Sequence, residues 1–165
     1  MGYVRYVLDV RHDAVFTDLT TPPRRIIMPA VHYDSYSEAR AHLKEVLDAA
    51  ASGRTVTVRR DSQQAVVLDA GRLRHFLATC VPSTAQVVPE EGGWSAFVPG
   101  LPVAADGASF DEAIDELVLA LREYAQDWYD RLQHAPNHRE NWGIVQLVGL
   151  SNDEQLRDWL RGSSR

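Results

Sequence analysis

Residues 35–77, SYSEARAHLKEVLDAAASGRTVTVRRDSQQAVVLDAGRLRHFL, constrain the fold more than any other stretch. Ser35 and Glu38 stand in the S-x-x-E arrangement that caps a helix reciprocally. Apolar Ala39, Leu43, Val46, Leu47 and Ala50 then recur at helical spacing. Gly53 ends that helix, because glycine adopts the left-handed turn at its C-terminal end. A strand over Thr55–Val58, a polar turn over Arg59–Gln64, a second strand over Ala65–Leu68 and a helix opening at Asp69 follow. Ile26–Val31 reads as a short strand before the first helix.

This order, with Y-S-x-x-R-x-x-L at its start, resembles the Phd/YefM family of antitoxins. The resemblance begins near Met28 and runs to about Thr79. It implies a βαββα module that dimerises, binds operator DNA and helps neutralise a toxin. The matching arginines of that family contact operator DNA, one from the helix and one from the turn. Carried onto this chain they are Arg40 and Arg60, with Arg59 beside the latter. Where the family's turn usually has glycine, this chain has Ser62-Gln63. An arginine fork can reach guanine O6 and N7. Tyr36, Ser37 and Lys44, together with Ser35, add candidate phosphate contacts. Taken without the resemblance, the same arginines read as ordinary surface charge.

The charge is unevenly placed. Residues 1–80 hold 11 Arg and Lys against 9 Asp and Glu, a net of +2. Residues 81–165 hold 6 against 14, a net of −8. A basic front half suits a polyanion and an acidic back half suits a basic protein. Two solvated surfaces would give the same numbers. Cys80 is the single cysteine, so no internal disulfide can form, which fits a reducing cytoplasm. No apolar run is long enough to span a membrane and no signal peptide stands out. Residues 1–27 read as a weakly structured extension, with Met28 as an alternative start.

Pro82-Ser83-Thr84 reads as a linker into a second pattern. Ala85–Val88 and Trp94–Val98 form a hairpin around Pro89–Gly93, and Val103–Ala105 is a third short strand closed by Asp106-Gly107. Ser109 and Glu112 make a second capping box. Ala113, Ile114, Leu117, Val118, Leu121, Ala125 and Trp128 line one face of a long helix whose first turn is acidic. The stretch from Trp94 through Leu117, W-S-A-F-V-P-G-L-P followed by G-A-S-F-D-E-A-I-D-E-L, resembles HicB-type antitoxins over about residues 85–130. The fold implied is a partial RNase-H-like ββ(β)α unit. The Cys or Asp usual after that family's proline turn is absent here.

The expected class is therefore α+β, divided into an extension (1–27), a Phd/YefM-like domain (28–80), a HicB-like domain (81–133) and a tail (134–165). In the tail, Trp142–Leu150 is apolar and β-prone. Ser151 and Glu154 look like a third capping box before a helix with Leu156, Trp159 and Leu160. Trp128, Trp142, Trp159 and Leu160 are candidate toxin contacts, because aromatic residues are enriched at interface cores. Equally, they could complete the second domain's core.

No catalytic constellation is expected. His134 and His138 are four apart, but Pro136 between them breaks the helix a metal pair needs. Asp106, Asp111 and Glu112 would tempt a metal-nuclease reading, yet the last two belong to a capping turn. Cys80 falls on the apolar side of its helix and reads as a buried structural thiol.

The reading is an antitoxin of a type II toxin-antitoxin system, with no enzymatic activity, no cofactor and no metal. Its expected partners are operator DNA, a second copy of itself and a cognate toxin. From the resemblance, that toxin is a ribonuclease of RelE, HicA or PIN type. Two rivals stand beside it: a stand-alone ligand-responsive transcriptional regulator and an RNase-H-type enzyme.

Overall fold

The computed structural model describes residues 30–162. The extension over 1–27 and most of the strand expected at Ile26–Val31 lie outside them. Fourteen elements follow, six of them α-helices and six of them strands, so the chain is a mixed α+β protein over the described residues.

The front unit holds β1 (Val31–Tyr33), α1 (Tyr36–Ala41), α2 (Leu43–Ala51), β2 (Val56–Arg60) and β3 (Gln63–Val67). β1 runs parallel to β2, and β3 returns antiparallel to β2. The Ser35 hydroxyl accepts from the Glu38 N–H at 3.2 Å, as the sequence requires. The Glu38 carboxylate returns one residue earlier than a standard box, to the Asp34 N–H. The expected single helix bends at His42 (φ −114°, ψ 28°), dividing it into α1 and α2. The His42 ring stacks on Tyr33 and its Nδ1 lies 3.0 Å from the Glu38 carbonyl. Gly53 then stops α2 in the left-handed region (φ 85°).

The front core is small. Tyr33, Ala39, Val46, Ala49 and Val56 are buried together. Leu43 and Leu47, expected on the inner face of the helix, are instead 55% and 54% exposed. The bend at His42 turns the buried seam to Val46, Ala49 and Ala50.

The expected turn over Arg59–Gln64 is tighter than the sequence implied. The strands pair as far as Arg60 and Gln63, leaving only Asp61 and Ser62 in the turn. Asp61 takes the left-handed conformation (φ 54°). Arg59 and Arg60 therefore belong to β2.

The helix α3 (Ala70–Cys80), capped by Asp69, leaves the front unit. Its Leu77 is buried with the back core, and Leu73, Ala78 and Val81 pack against that core. Cys80 is exposed, not buried as expected; it is the last residue of α3, where Leu77 is the buried one.

The back unit adds β4 (Gln86–Glu90), β5 (Gly93–Phe97), β6 (Ala104–Gly107), α4 (Phe110–Asp127), a π-helical turn (Trp128–Leu132), a 3₁₀ turn (Arg139–Asn141), α5 (Trp142–Leu150) and α6 (Asp153–Leu160). Its antiparallel sheet has the order β4-β5-β6. Pro89 is tolerated because β4 is an edge strand. α4 lies on the sheet with the predicted face inward: Ala113, Ile114, Leu117, Val118, Leu121, Ala125 and Trp128 are all buried. Gly107 makes this approach possible. A Cβ there would meet the Ala113 backbone N and sit 2.8 Å from the Glu112 carbonyl carbon.

Trp142–Leu150 is a helix, not the strand its β-prone composition implied. A continuous apolar run fits either form, and a segment that packs against α3 and α4 through Ile144, Val145, Leu147 and Val148 satisfies its backbone groups internally as a helix. The third cap also differs. Asn152 and Gln155 form the box, with bonds of 2.8 and 2.9 Å, one residue beyond Ser151 and Glu154. Ser151 is buried and donates to the Leu147 carbonyl at 2.7 Å.

Candidate nucleic-acid and protein interfaces

Two surfaces carry candidate function. The first is a cleft at the tip of the front sheet. Its walls are the β1–α1 connection and first turn of α1 (Asp34–Ser37) on one side and Arg59, Arg60 and Asp61 on the other. Tyr36, Ser37, Arg59 and Arg60 are thus brought together although up to 24 residues separate them in sequence. The parallel pairing of β1 with β2 does this: β1 ends at Tyr33, opposite Val58, so the chain that leaves it runs beside Arg59 and Arg60, the last two residues of β2.

Arg40 lies one turn further along α1, exposed, and outside the cleft. Lys44 is on α2 and is bound to Asp48 at 2.5 Å. That hydrogen bond raises its pKa above the ordinary 10.5, so its charge persists through the neutral range while being partly offset locally. Asp34 is engaged by His32, whose Nε2 lies 3.1 Å away; His32 Nδ1 in turn lies 2.7 Å from the Thr57 hydroxyl.

A contrast in ion pairing separates the two halves. Among the described residues, Arg40, Arg54, Arg59, Arg60, Arg72 and Arg74 of residues 30–80 form no side-chain ion pair or hydrogen bond. Each described arginine of the back half, Arg122, Arg131, Arg139, Arg157 and Arg161, pairs with a carboxylate. Arg122 also donates to the Val148 and Ser151 carbonyls, both at 2.8 Å. Arg157 reaches Asp115 and Arg161 reaches Asp111, so α6 is strapped across α4. The hydrogen bonds that Arg131 and Arg157 donate to Asp127 and Asp115 raise the pKa values of both arginines.

The second surface is on the back unit. Of the four residues expected at a toxin interface, Trp128, Trp159 and Leu160 are buried in the single chain. Trp128 Nε1 donates to the His138 carbonyl and Trp159 Nε1 to the Val81 carbonyl. They complete the core, which was the plainer of the two readings. Trp142 alone is open, at 50% exposure. A further aromatic residue of this unit is open as well. Tyr129 is 46% exposed, and its hydroxyl accepts from Gln146, one turn along α5 from Trp142. Tyr129 faces outward next to buried Trp128, which continues the buried seam of α4 into the π-helical turn.

His138 Nδ1 lies 3.0 Å from the Tyr124 hydroxyl, and the two histidines of the tail share no helix. No group of three or more His, Cys, Asp or Glu among the described residues is placed to hold a metal ion. No helix among them is long and apolar enough to cross a membrane.

No curated protein matches the chain. One solved structure has a similar fold: the crystal structure of a protein from Syntrophomonas wolfei subsp. wolfei described as the antitoxin part of a toxin/antitoxin system. It superposes with a TM-score of 0.67 at 21% identity, covering 80% of this chain and 96% of the other. A family model described as PHD-like, an antitoxin of toxin-antitoxin, RelE / RelB, TA system, matches residues 31–161. The match spans both sheets and all six helices, and the chain accordingly belongs to this PHD-like family of toxin-antitoxin antitoxins.

Proposed function

We propose that the front unit is an operator-binding, dimerising module of Phd/YefM type and that the back unit, related to HicB-type domains, binds and neutralises a ribonuclease toxin of RelE, HicA or PIN type. The chain acts by binding, not by catalysis, and autorepresses the operon that encodes it.

The observation that carries the DNA half is the set of front arginines that pair with no carboxylate among the described residues, Arg59 and Arg60 of the cleft above all. A guanidinium with no internal partner is free to neutralise phosphate or to fork onto guanine. The dimer is supported by the small front core beside exposed Leu43 and Leu47. About 50 residues bury too little apolar surface to stand alone, and a twofold pair would present two clefts to adjacent half-sites.

The toxin half rests on the net −8 charge of residues 81–165 and on the exposed Trp142 and Tyr129. Acidic surroundings speed encounter with a basic ribonuclease, and aromatic anchors slow dissociation. The test uses full-length variants. Arg59→Ala and Arg60→Ala each weaken binding to the promoter duplex by about 1–3 kcal/mol and leave toxin neutralisation intact. Trp142→Ala does the opposite, with a loss of about 2 kcal/mol in toxin affinity. If the arginine variants lose neutralisation while keeping the promoter, the division of labour is reversed.

A further inference from the structure

Asp61 is the remaining charge at the tip of the front sheet. It stands next to Arg60, lines the same cleft, and has no ion-pair or hydrogen-bond partner among the described residues. Asp34, the other carboxylate of the cleft, is held by His32. Asp61 also occupies the left-handed region, where glycine is unpenalised and where asparagine and aspartate are the side chains best tolerated. The turn therefore needs glycine, asparagine or aspartate, but it does not need a charge.

We infer that the Asp61 carboxylate determines sequence discrimination by the arginine cleft, penalising DNA held through phosphate alone and favouring DNA that presents a cytosine amino group in the major groove. This rests on the operator-binding reading of the front unit. A carboxylate beside two arginines opposes the phosphate contacts that supply sequence-independent affinity. It regains that loss only by accepting from a base-edge donor, and cytosine N4 is the donor that suits it. Arg60 and Asp61 are consecutive, one at the last residue of β2 and one in the turn, so the guanine-reading and cytosine-reading groups advance into the groove together.

The experiment compares wild type, Asp61→Asn and Asp61→Gly in binding to two duplexes: the promoter of the gene that encodes the chain and a shuffled duplex of the same length and composition. Asparagine keeps the left-handed turn and removes only the charge; glycine removes the charge and relaxes the turn. In both variants, binding to the shuffled duplex tightens and the promoter-to-shuffled affinity ratio falls about tenfold. An unchanged ratio overturns the inference, even if both affinities rise together. A wild-type chain that prefers neither duplex overturns the operator-binding reading itself, whatever the variants do.

Discussion

In the back unit, Arg157 and Arg161 lie against Asp115 and Asp111, whereas in the front unit Arg59 and Arg60 have no acidic partner among the described residues. The same side chain is used in one place to fasten two helices and in the other is left exposed on the surface. The cores differ in parallel. Leu117, Leu121, Leu147, Leu156 and Trp159 are fully buried in the back, while the front relies on Val46, Val56 and small alanines. A large core with internally spent charges describes a body that is complete alone. A small core with open leucines, and arginines without ion pairs among the described residues, is what the binding role proposed for the front unit requires.

The comparison breaks most sharply at the back core. Trp159→Ala removes a side chain only 2% exposed and costs about 3–5 kcal/mol, read as a loss of thermal stability of the whole back unit. Gly107→Ala forces a methyl into the start of α4 and costs about 1–3 kcal/mol by the same measurement. Arg122→Ala strips two carbonyls at the α5–α6 junction of their donor, for about 1–3 kcal/mol. If Arg122→Ala were neutral while Arg59→Ala destabilised the fold, the contrast drawn here would be inverted. Arg59→Ala and Arg60→Ala change unfolding by no more than about 0.5 kcal/mol, as expected of surface groups without partners. The smallest effect belongs to Lys44→Ala, which leaves the unfolding midpoint where it is, since its exposed pair with Asp48 is screened by water.

Much of this was legible in the sequence where local chemistry and packing agree. The inward face of α4 needed only its helical period and the Ser109–Glu112 cap, and the hairpin β4–β5 needed only Gly92-Gly93 between β-prone runs. The cleft was legible through Arg59, Arg60, Tyr36 and Ser37, because a parallel β1–β2 pair brings a helix start beside a strand end. What failed was set by neighbours the sequence does not name. Trp142–Leu150 is a helix because α3 and α4 cover it on two sides; its composition alone leaves strand and helix equal. Cys80 shares a helix face with buried Leu77, yet it is exposed at the end of α3. Trp128 and Trp159 looked like interface anchors, but each directs its indole N–H to a backbone carbonyl inside the chain.

The bond from Trp159 to the Val81 carbonyl spans 78 positions, and the Ser83 hydroxyl reaches the Leu160 carbonyl across 77. The back core therefore closes its ends on each other, and it cannot do so until the last helix has left the ribosome. The front unit is finished by Val67, roughly a hundred residues earlier in synthesis. Contacts of such long range also slow folding. During translation the arginine-bearing half is thus complete in sequence well before the acidic half can close its core.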